Sequence, residues 1–308
     1  MSSECSSPFS RLSQEIIDKI IDHIADNSPR GFCGGVDRDI QHCALVSRSF
    51  RPRSQLYIFD SLYFQESTDA RQSKLQNLAE LIRGNPKIAD YIRELSLECV
   101  DFEYSWIGED PIFLDIMWAV SRPEQPLRKL TFKADDDRYG VHRFDNDAEF
   151  QPLLDNFFRP FIFPFITTLV LERVKGVPLE VVESCVNLVD LDFDRVKLTG
   201  KSSKTALDSA RPALKRLSHH RSRPPLWDKF PMDGWDAALD LSQLQYLSVN
   251  KDKLLDLKFE QHIVDVAGAS LQELRLPSRA PEGKLDIIYL RGQRHQSLDK
   301  LTEAVKVS

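Results

Sequence analysis

The chain has 308 residues, of which 42% are hydrophobic and 29% charged, and its formal net charge at pH 7 is −6. This balance predicts a folded protein rather than a disordered one, with room for a small module and one larger domain. The negative net charge argues against broad nucleic-acid binding through phosphates, and no apolar run is long enough to cross a bilayer.

The first element after a flexible N-terminus (residues 1–11) is an amphipathic helix. Apolar residues recur there at helical spacing, which predicts one broad apolar stripe: Leu12, Ile16, Ile17, Ile20, Ile21 and Ile24. Ser13 is a suitable N-cap, and Leu12 and Ile17 then have the spacing of a hydrophobic staple. Isoleucine is a mediocre helix former, so packing must hold this helix in place.

A second amphipathic helix is predicted from Asp39 to Arg53, with Pro52 near its end. Its apolar face consists of Ile40, Cys43, Ala44, Leu45, Val46 and Phe50. The turn-rich segment Asn27–Asp39 separates the two helices. Two apolar faces are more than so short a unit can bury by itself, which predicts a docking module.

Residues 12–53 resemble the F-box, the module of the substrate receptors of cullin-type ubiquitin ligases. The family's opening, Leu-Pro-x-Glu-Ile, is present as Leu12-Ser13-Gln14-Glu15-Ile16, and its closing Val-Ser/Cys-Arg-x-Trp/Phe as Val46-Ser47-Arg48-Ser49-Phe50. The later GNPKIADYIRELSL segment (84–97) is similar to the stretch that comes after the box in fungal members. Serine in place of proline at position 13 and a long Asn27–Asp39 loop depart from the pattern.

The resemblance implies that the box docks the S-phase-kinase-associated adaptor, which links it to a cullin and to a ring-finger subunit carrying the E2. The residues implied to contact the adaptor are Leu12, Glu15, Ile16, Ile17, Ile20, Ile21, Ile24, Leu45, Val46 and Phe50. The alternative is an ordinary helical hairpin packed on its own domain.

The remainder of the chain, residues 54–308, carries a repeated unit, L-x-x-L-x-L. Its copies start at Ile92, Leu127, Ile166, Leu188, Leu214 (a shorter version), Leu244 and Leu271. The middle residue advances by 35, 39, 22, 26, 30 and 27 positions, and the later steps are close to the period of leucine-rich repeats. We therefore predict an α/β fold: a helical F-box followed by an irregular leucine-rich-repeat-like solenoid with a parallel sheet. An ordinary α/β domain is the alternative.

Return helices between the strands are predicted at Arg71–Arg83, Pro111–Val120, Pro178–Cys185 and Leu257–Ala267. The segment LYIFDSLYF (56–64) is predicted to be a strand at the edge of the sheet. Leu298-x-x-Leu301 is similar to the start of a further unit, so we expect either a shortened array of repeats or a cap formed by the last residues. The phenylalanine-rich segment 152–165 is predicted to be core, with an exposed partner patch as the alternative.

A basic patch beside an aromatic loop is the candidate surface for a target protein. The residues concerned are Lys215, Arg216, Arg221, Arg223, Trp227 and Trp235. Clustered arginines pair well with carboxylate and phosphate, which would suit an acidic or phosphorylated partner. A solvated loop and a nuclear import signal are the alternatives, and the identity of the target is not encoded in any motif.

Catalytic motifs are missing from the sequence, so we expect a non-catalytic protein without cofactor or metal. A metal-dependent hydrolase using Asp135–Asp147 is the enzyme alternative, but no spacing there matches a calcium loop. The five cysteines are scattered without a C-x-x-C pair, and no charged-then-apolar leader opens the chain. Reduced thiols in the cytoplasm, the nucleus or both are therefore expected. The other function considered is an F-box-like repeat scaffold that does not assemble a ligase.

Overall fold

A computed structural model describes residues 12–27, 38–65, 68–99, 104–134, 147–199, 211–220, 238–250, 258–268, 270–277 and 285–289. The predicted flexible segment 1–11, most of the loop after Asn27, Asp135–Asp137 and Leu298-x-x-Leu301 lie outside these residues. The chain forms two compact units, Met1–Ser96 and Leu97–Ser308. This division falls further along the chain than the boundary at residue 53 drawn from the sequence.

The first unit is mainly helical. Its elements are α1 (Gln14–Asn27), α2 (Arg38–Val46), α3 (Arg51–Phe59), β1 (Ser61–Phe64), α4 (Thr68–Gly84) and a 3-10 helix (Pro86–Tyr91). The predicted helix at Arg71–Arg83 is confirmed as α4, which ends at Gly84. The strand β2 (Glu94–Cys99) begins in this unit, and Arg93 and Glu94 donate to the carbonyl of Asp60 at 2.8 and 2.9 Å.

Two boundaries predicted in the first unit are wrong. The helix predicted for Asp39–Arg53 ends at Val46, and Pro52 lies in the first turn of α3 instead of ending a helix. Proline suits that position because its missing N–H is not needed in a first turn. The strand predicted for residues 56–64 is reduced to Ser61–Phe64, since Leu56–Phe59 continue α3.

The second unit has an α/β architecture built on a mostly parallel sheet. The strands that follow β2 are β3 (Lys129–Ala134), β4 (Thr168–Glu172), β6 (Asp190–Asp194), β8 (Arg216–His220), β9 (Tyr246–Asn250), β10 (Glu273–Pro277) and β11 (Leu285–Tyr289). Neighbours from β3 to β10 run parallel, and β11 pairs antiparallel with β10. A second, two-stranded parallel sheet joins β5 (Lys175–Pro178) to β7 (Lys197–Thr199).

The copies of L-x-x-L-x-L fall into register across this sheet. Their middle residues lie opposite one another from strand to strand: Leu130, Leu169, Leu191, Leu217, Leu247 and Leu274. These leucines are buried, and so is the first apolar residue of each copy. Because the side chains of a strand alternate between its two faces, one face of the sheet is apolar and covered.

The hydrogen bonds at the start of each strand repeat as well. The backbone amides of Thr167 and Thr168 both donate to the carbonyl of Arg128, at 2.8 and 3.0 Å. The same arrangement recurs at Val189–Asp190, Lys215–Arg216, Gln245–Tyr246 and Gln272–Glu273, each pair bonding to the strand before it. Asp60 accepts in the same way from Arg93 and Glu94, which identifies Phe59-x-x-Leu62-x-Phe64 as a further copy of the unit that the sequence pattern alone did not reveal.

Two successive copies of the unit are followed by the same kind of turn. Arg173 and Arg195 follow β4 and β6, and both adopt left-handed backbone angles (φ 59° and 56°) that non-glycine residues seldom take. The backbone amide of Arg173 donates to the carbonyl of Asp194 at 2.6 Å, and the backbone amide of Arg195 donates to the carbonyl of His220 at 2.9 Å. The matching tetrapeptides Glu172-Arg173-Val174-Lys175 and Asp194-Arg195-Val196-Lys197 carry this signal in the sequence.

The helices of the second unit are α5 (Ser105–Glu109), α6 (Pro111–Val120), α7 (Asp147–Leu153), a π-helix (Leu154–Ile162), α8 (Glu180–Glu183) and α9 (Lys258–Ala267). The predicted α6 is confirmed, and Asp110 caps it by accepting from the amides of Ile112 and Phe113 at 2.8 and 3.0 Å. The predicted helix Pro178–Cys185 shrinks to α8, because Pro178 closes β5.

The phenylalanine-rich segment is core, as predicted. Phe157, Phe158, Phe161 and Phe163 are buried, whereas Phe165 is half-buried. Phe157 meets Phe158 edge to face at 5.2 Å and packs against Phe113 of α6 at 5.7 Å. Such aromatic pairs hold the π-helix and α6 together in the second unit.

Candidate protein-interaction surfaces

Helix α1 separates its isoleucines into two sets with different surroundings. Ile17 and Ile21 are buried and form a small core with Ile40 of α2 and Phe50. Ile24 is half-buried and packs against the edge of that core. The inner side of the predicted apolar stripe is therefore buried within the first unit itself.

The outer side of the stripe stays in solvent. Leu12, Ile16 and Ile20 lie one helical turn apart, and Ile16 is 48% exposed. At the end of α2, Leu45 is 79% exposed and Val46 50%. We call these five side chains the apolar docking face. Single exposed leucines are ordinary, but five on one short motif need an explanation.

A side-chain hydrogen bond joins the two segments that carry the docking face. The Gln14 side chain donates to the carbonyl of Ser49 at 2.9 Å, which joins the start of α1 to the turn after α2. Ile16 is two residues from Gln14, and Val46 is three residues from Ser49. The carbonyl of Ser13 accepts from the amides of Ile16 and Ile17 at 3.1 and 3.2 Å, so the helix starts normally without the family's proline.

An ion pair fixes α1 on α3. Arg53 donates to both carboxylate oxygens of Asp22, at 2.6 and 2.9 Å, and the Tyr57 hydroxyl donates to the same carboxylate at 2.8 Å. The guanidinium also stacks on the Tyr57 ring, 5.6 Å from its centre. The hydrogen bond from Arg53 lowers the pKa of Asp22 below its ordinary value, with Tyr57 adding to the effect. This clamp adds a polar contact between α1 and α3 to the apolar core that buries Ile17 and Ile21.

The residues implied by the F-box resemblance thus divide by exposure. Ile17, Ile21 and Phe50 lie in the core of the first unit, so their side chains are covered by the chain itself. Glu15 is exposed beside the docking face. The sequence did not distinguish the two sets because both sides of α1 carry isoleucine, and only the positions of α2 and α3 decide which side is covered.

The second surface is the polar face of the sheet in the second unit. Along β6 the side chains alternate, with Leu191 and Phe193 buried and three aspartates on the opposite side: Asp190, Asp192 and Asp194. On β8 the same polar side carries Arg216, Ser218 and His220. The sheet thus presents a charged face, in which negative charge on β6 lies next to positive charge on β8.

The carboxylates of β6 interact only loosely with the neighbouring cations. Arg216 Nε is 3.8 Å from Asp190 Oδ1, and His220 Nε2 is 3.9 Å from Asp192 Oδ1, both longer than a hydrogen bond. Burial raises the pKa of Asp192, and the like charges of Glu172 and Asp194 add to the rise while His220 and Arg216 oppose it. The three carboxylates of β6 thus lie on one face beside cations that they do not hydrogen-bond.

A cationic aromatic cluster occupies the next strands. The Tyr246 ring on β9 lies under the guanidinium of Arg216 at 5.5 Å and that of Arg275 at 5.1 Å. Arg275 Nε also pairs with Glu273 at 2.6 Å. We call Arg216, Tyr246 and Arg275 the Arg–Tyr–Arg cluster. The sequence pattern pointed to Arg216 but not to Tyr246 and Arg275, since only the strand register brings them together.

The candidate target-binding residues are described in part. Lys215 and Arg216 are exposed at the start of β8. Arg221, Arg223, Trp227 and Trp235 lie outside the described residues, and so does the greater part of the acidic segment Asp135–Asp147.

No group of three or more His, Cys, Asp or Glu side chains could hold a metal ion in the part of the chain that the structure describes. Over the same residues, no helix combines the length and apolarity needed to cross a membrane. Cys43, Cys99 and Cys185 are thiols and do not form disulfide bonds.

Comparisons with known proteins give no relative. A scan against models of protein families found no match, and searches of curated proteins and of solved structures found none.

Proposed function

We propose that the protein is the substrate-recognition subunit of a cullin-type ubiquitin ligase, acting in the cytoplasm, the nucleus or both. In this proposal the F-box, residues 12–53, docks the S-phase-kinase-associated adaptor through the apolar docking face. The second unit is an irregular leucine-rich-repeat-like solenoid that holds a target protein. The chain itself performs no covalent chemistry; it raises the effective concentration of a target lysine near the E2.

The observation that carries the proposal is the exposure of Leu12, Ile16, Ile20, Leu45 and Val46 on a motif whose inward residues already form a closed core. A helical hairpin packed only on itself would have no reason to keep these side chains in solvent. The motif resemblance supplies the kind of partner, and the exposed side chains supply the surface.

The parallel sheet supports the second part of the proposal. Copies of one short unit align their middle leucines and repeat the same pair of hydrogen bonds at each strand entry. Stacked units of this kind present a long polar surface that suits protein recognition.

The test is a direct titration of the full chain with purified adaptor. Each docking isoleucine has about half of its area left to bury, which is worth about 1 kcal/mol, and a buried carboxylate costs a further 1–3 kcal/mol. Ile16→Asp combined with Ile20→Asp should therefore weaken binding by about a thousandfold or more. Both side chains are exposed in the free protein, so circular dichroism should remain that of the wild type.

Leu81→Asp is the matched control. Leu81 is an apolar side chain on α4 that is 42% exposed, similar to Ile16 and Ile20, but it lies outside the box. This variant should bind the adaptor normally. Normal adaptor binding by the folded Ile16→Asp/Ile20→Asp protein would refute the proposed docking face.

The alternative is a repeat scaffold that does not assemble a ligase. Serine at position 13 in place of the family's proline is the observation that favours it. A wild-type protein that is well folded but ignores the adaptor would support this alternative.

A further inference from the structure

We infer that the target segment held by the second unit is acidic, and that two of its carboxylates bind the Arg–Tyr–Arg cluster. This inference rests on the proposed function, in which the second unit holds a target, and it names the chemical class of that target. The proposed site lies on the polar side of β8, β9 and β10, next to the aspartates of β6.

The strand register places the three side chains on one face. Arg216 lies directly opposite Tyr246, and Tyr246 lies directly opposite Glu273. Arg275 is two residues beyond Glu273 on the same strand and therefore points to the same side. Both guanidinium groups thus stack on a single ring from neighbouring strands.

Arg275 is held in place by contacts within the chain itself. Arg275 is held by Glu273 at 2.6 Å and by the ring at 5.1 Å. Tyr246 is half-buried, and both guanidinium groups stack on its ring. Stacking of arginine on an aromatic ring restricts the guanidinium, which reduces the entropy lost when an anion binds.

Arg216 has the capacity to take a new partner. Its side chain is 65% exposed, and its Nε is 3.8 Å from Asp190, too far for a hydrogen bond. A carboxylate from a partner would approach within hydrogen-bond distance and gain a charge-assisted bond that Asp190 does not make. The exposed positive charge therefore favours an anionic ligand.

The arrangement favours two carboxylates over one phosphate. The two cations come from β8 and β10, with β9 and its ring between them, so they present two separate single charges. Both already lie near carboxylates of the protein, Asp190 and Glu273. The aspartates of β6 repel an acidic segment on one side, which confines its carboxylates to β8–β10.

The test uses the full chain and a labelled glutamate-rich peptide, followed by fluorescence anisotropy. A peptide of the same sequence with glutamine at each glutamate is the neutral probe, and a phosphoserine peptide of equal net charge is the third. The glutamate peptide should bind, and its affinity should fall as salt is raised, because exposed charges are screened. The glutamine peptide should not bind.

Variants locate the binding on the cluster. Arg216→Gln with Arg275→Gln should weaken binding by about tenfold or more. Arg159→Gln, which removes a half-exposed arginine of the π-helix, should leave binding unchanged. Asp190→Asn should strengthen binding severalfold, since it removes both a competing carboxylate and a like charge. The tighter binding of the glutamate peptide by Asp190→Asn tests the inference even if the double variant fails to fold.

The outcomes separate this inference from the proposed function. Equal binding of the glutamine peptide, indifference to Arg216→Gln/Arg275→Gln in folded protein, weaker binding by Asp190→Asn, or binding of the phosphopeptide alone would each overturn the acidic target. Adaptor binding measured on the same protein reports on the docking face alone, so either claim can fail while the other stands.

Discussion

Replacing Ile21 with alanine should loosen the first unit, whereas the same change at Ile20 should not. Ile21 is fully buried in the core formed with Ile17, Ile40 and Phe50. The truncation removes three carbons, worth about 2.4 kcal/mol of transfer free energy, and leaves a cavity; measured isoleucine-to-alanine losses in cores are about 2–5 kcal/mol. Ile20 is 38% exposed, so its truncation should cost about 1 kcal/mol or less.

Hydrogen exchange followed by mass spectrometry suits this comparison, because it reads the stability of α1 without requiring the whole chain to unfold in one step. A loss of about 2 kcal/mol or more accelerates exchange of the α1 amides by about 30-fold or more. Peptides from α6 and the π-helix, in the second unit, provide an internal reference. Equal acceleration by Ile20→Ala and Ile21→Ala would refute the assignment of an inner and an outer side to α1.

Two further outcomes are expected from particular contacts. Because Arg53 lowers the pKa of Asp22, the clamp stabilises the first unit above the ordinary carboxyl pKa, and this contribution is lost as pH falls through the lowered value. Both side chains are about one-third exposed, so the loss of stability is about 1 kcal/mol or less. Thermal melts from pH 7 to below pH 3 should show this loss in the wild type and not in Asp22→Asn. Melting temperatures that fall in parallel for the two proteins would contradict it. Gly108→Ala should destabilise the second unit by about 2 kcal/mol or more, since a Cβ there would lie 2.7 Å from the carbonyl oxygen of Pro152 and 2.8 Å from the amide of Leu153. Gly84→Ala, where nothing lies within 4 Å, should be neutral or slightly stabilising. Urea titrations of the two variants measure both changes, and an equal loss of stability in both would show that contact with the backbone is not the cause.

The sequence predicted the strands of the second unit well because burial imposes a strict pattern on them. Every copy of L-x-x-L-x-L that the structure describes lies at the start of a strand, since its first and middle apolar residues are buried in the core. The start of the strand after Phe59 was misplaced because Tyr57, Ile58 and Phe59 favour a strand locally, whereas packing of Tyr57 and Ile58 on the first-unit core keeps them helical.

The candidate surfaces were less predictable than the strands. Exposure of Ile16 and burial of Ile17 are consequences of how α2 and α3 pack, and the sequence pattern is the same for both residues. Tyr246 and Arg275 are 29 residues apart, and their meeting with Arg216 depends on strand register. Periodicity reports which residues face the core, but it does not report which exposed residues meet across neighbouring strands.

The measurement that tests the central claim most directly is co-expression of the full wild-type chain with the adaptor, followed by gel filtration and mass determination of the eluted species. The proposal predicts an equimolar complex that survives dilution into moderate salt, because its interface is apolar. A well-folded chain that elutes apart from the adaptor would contradict the proposed ligase receptor.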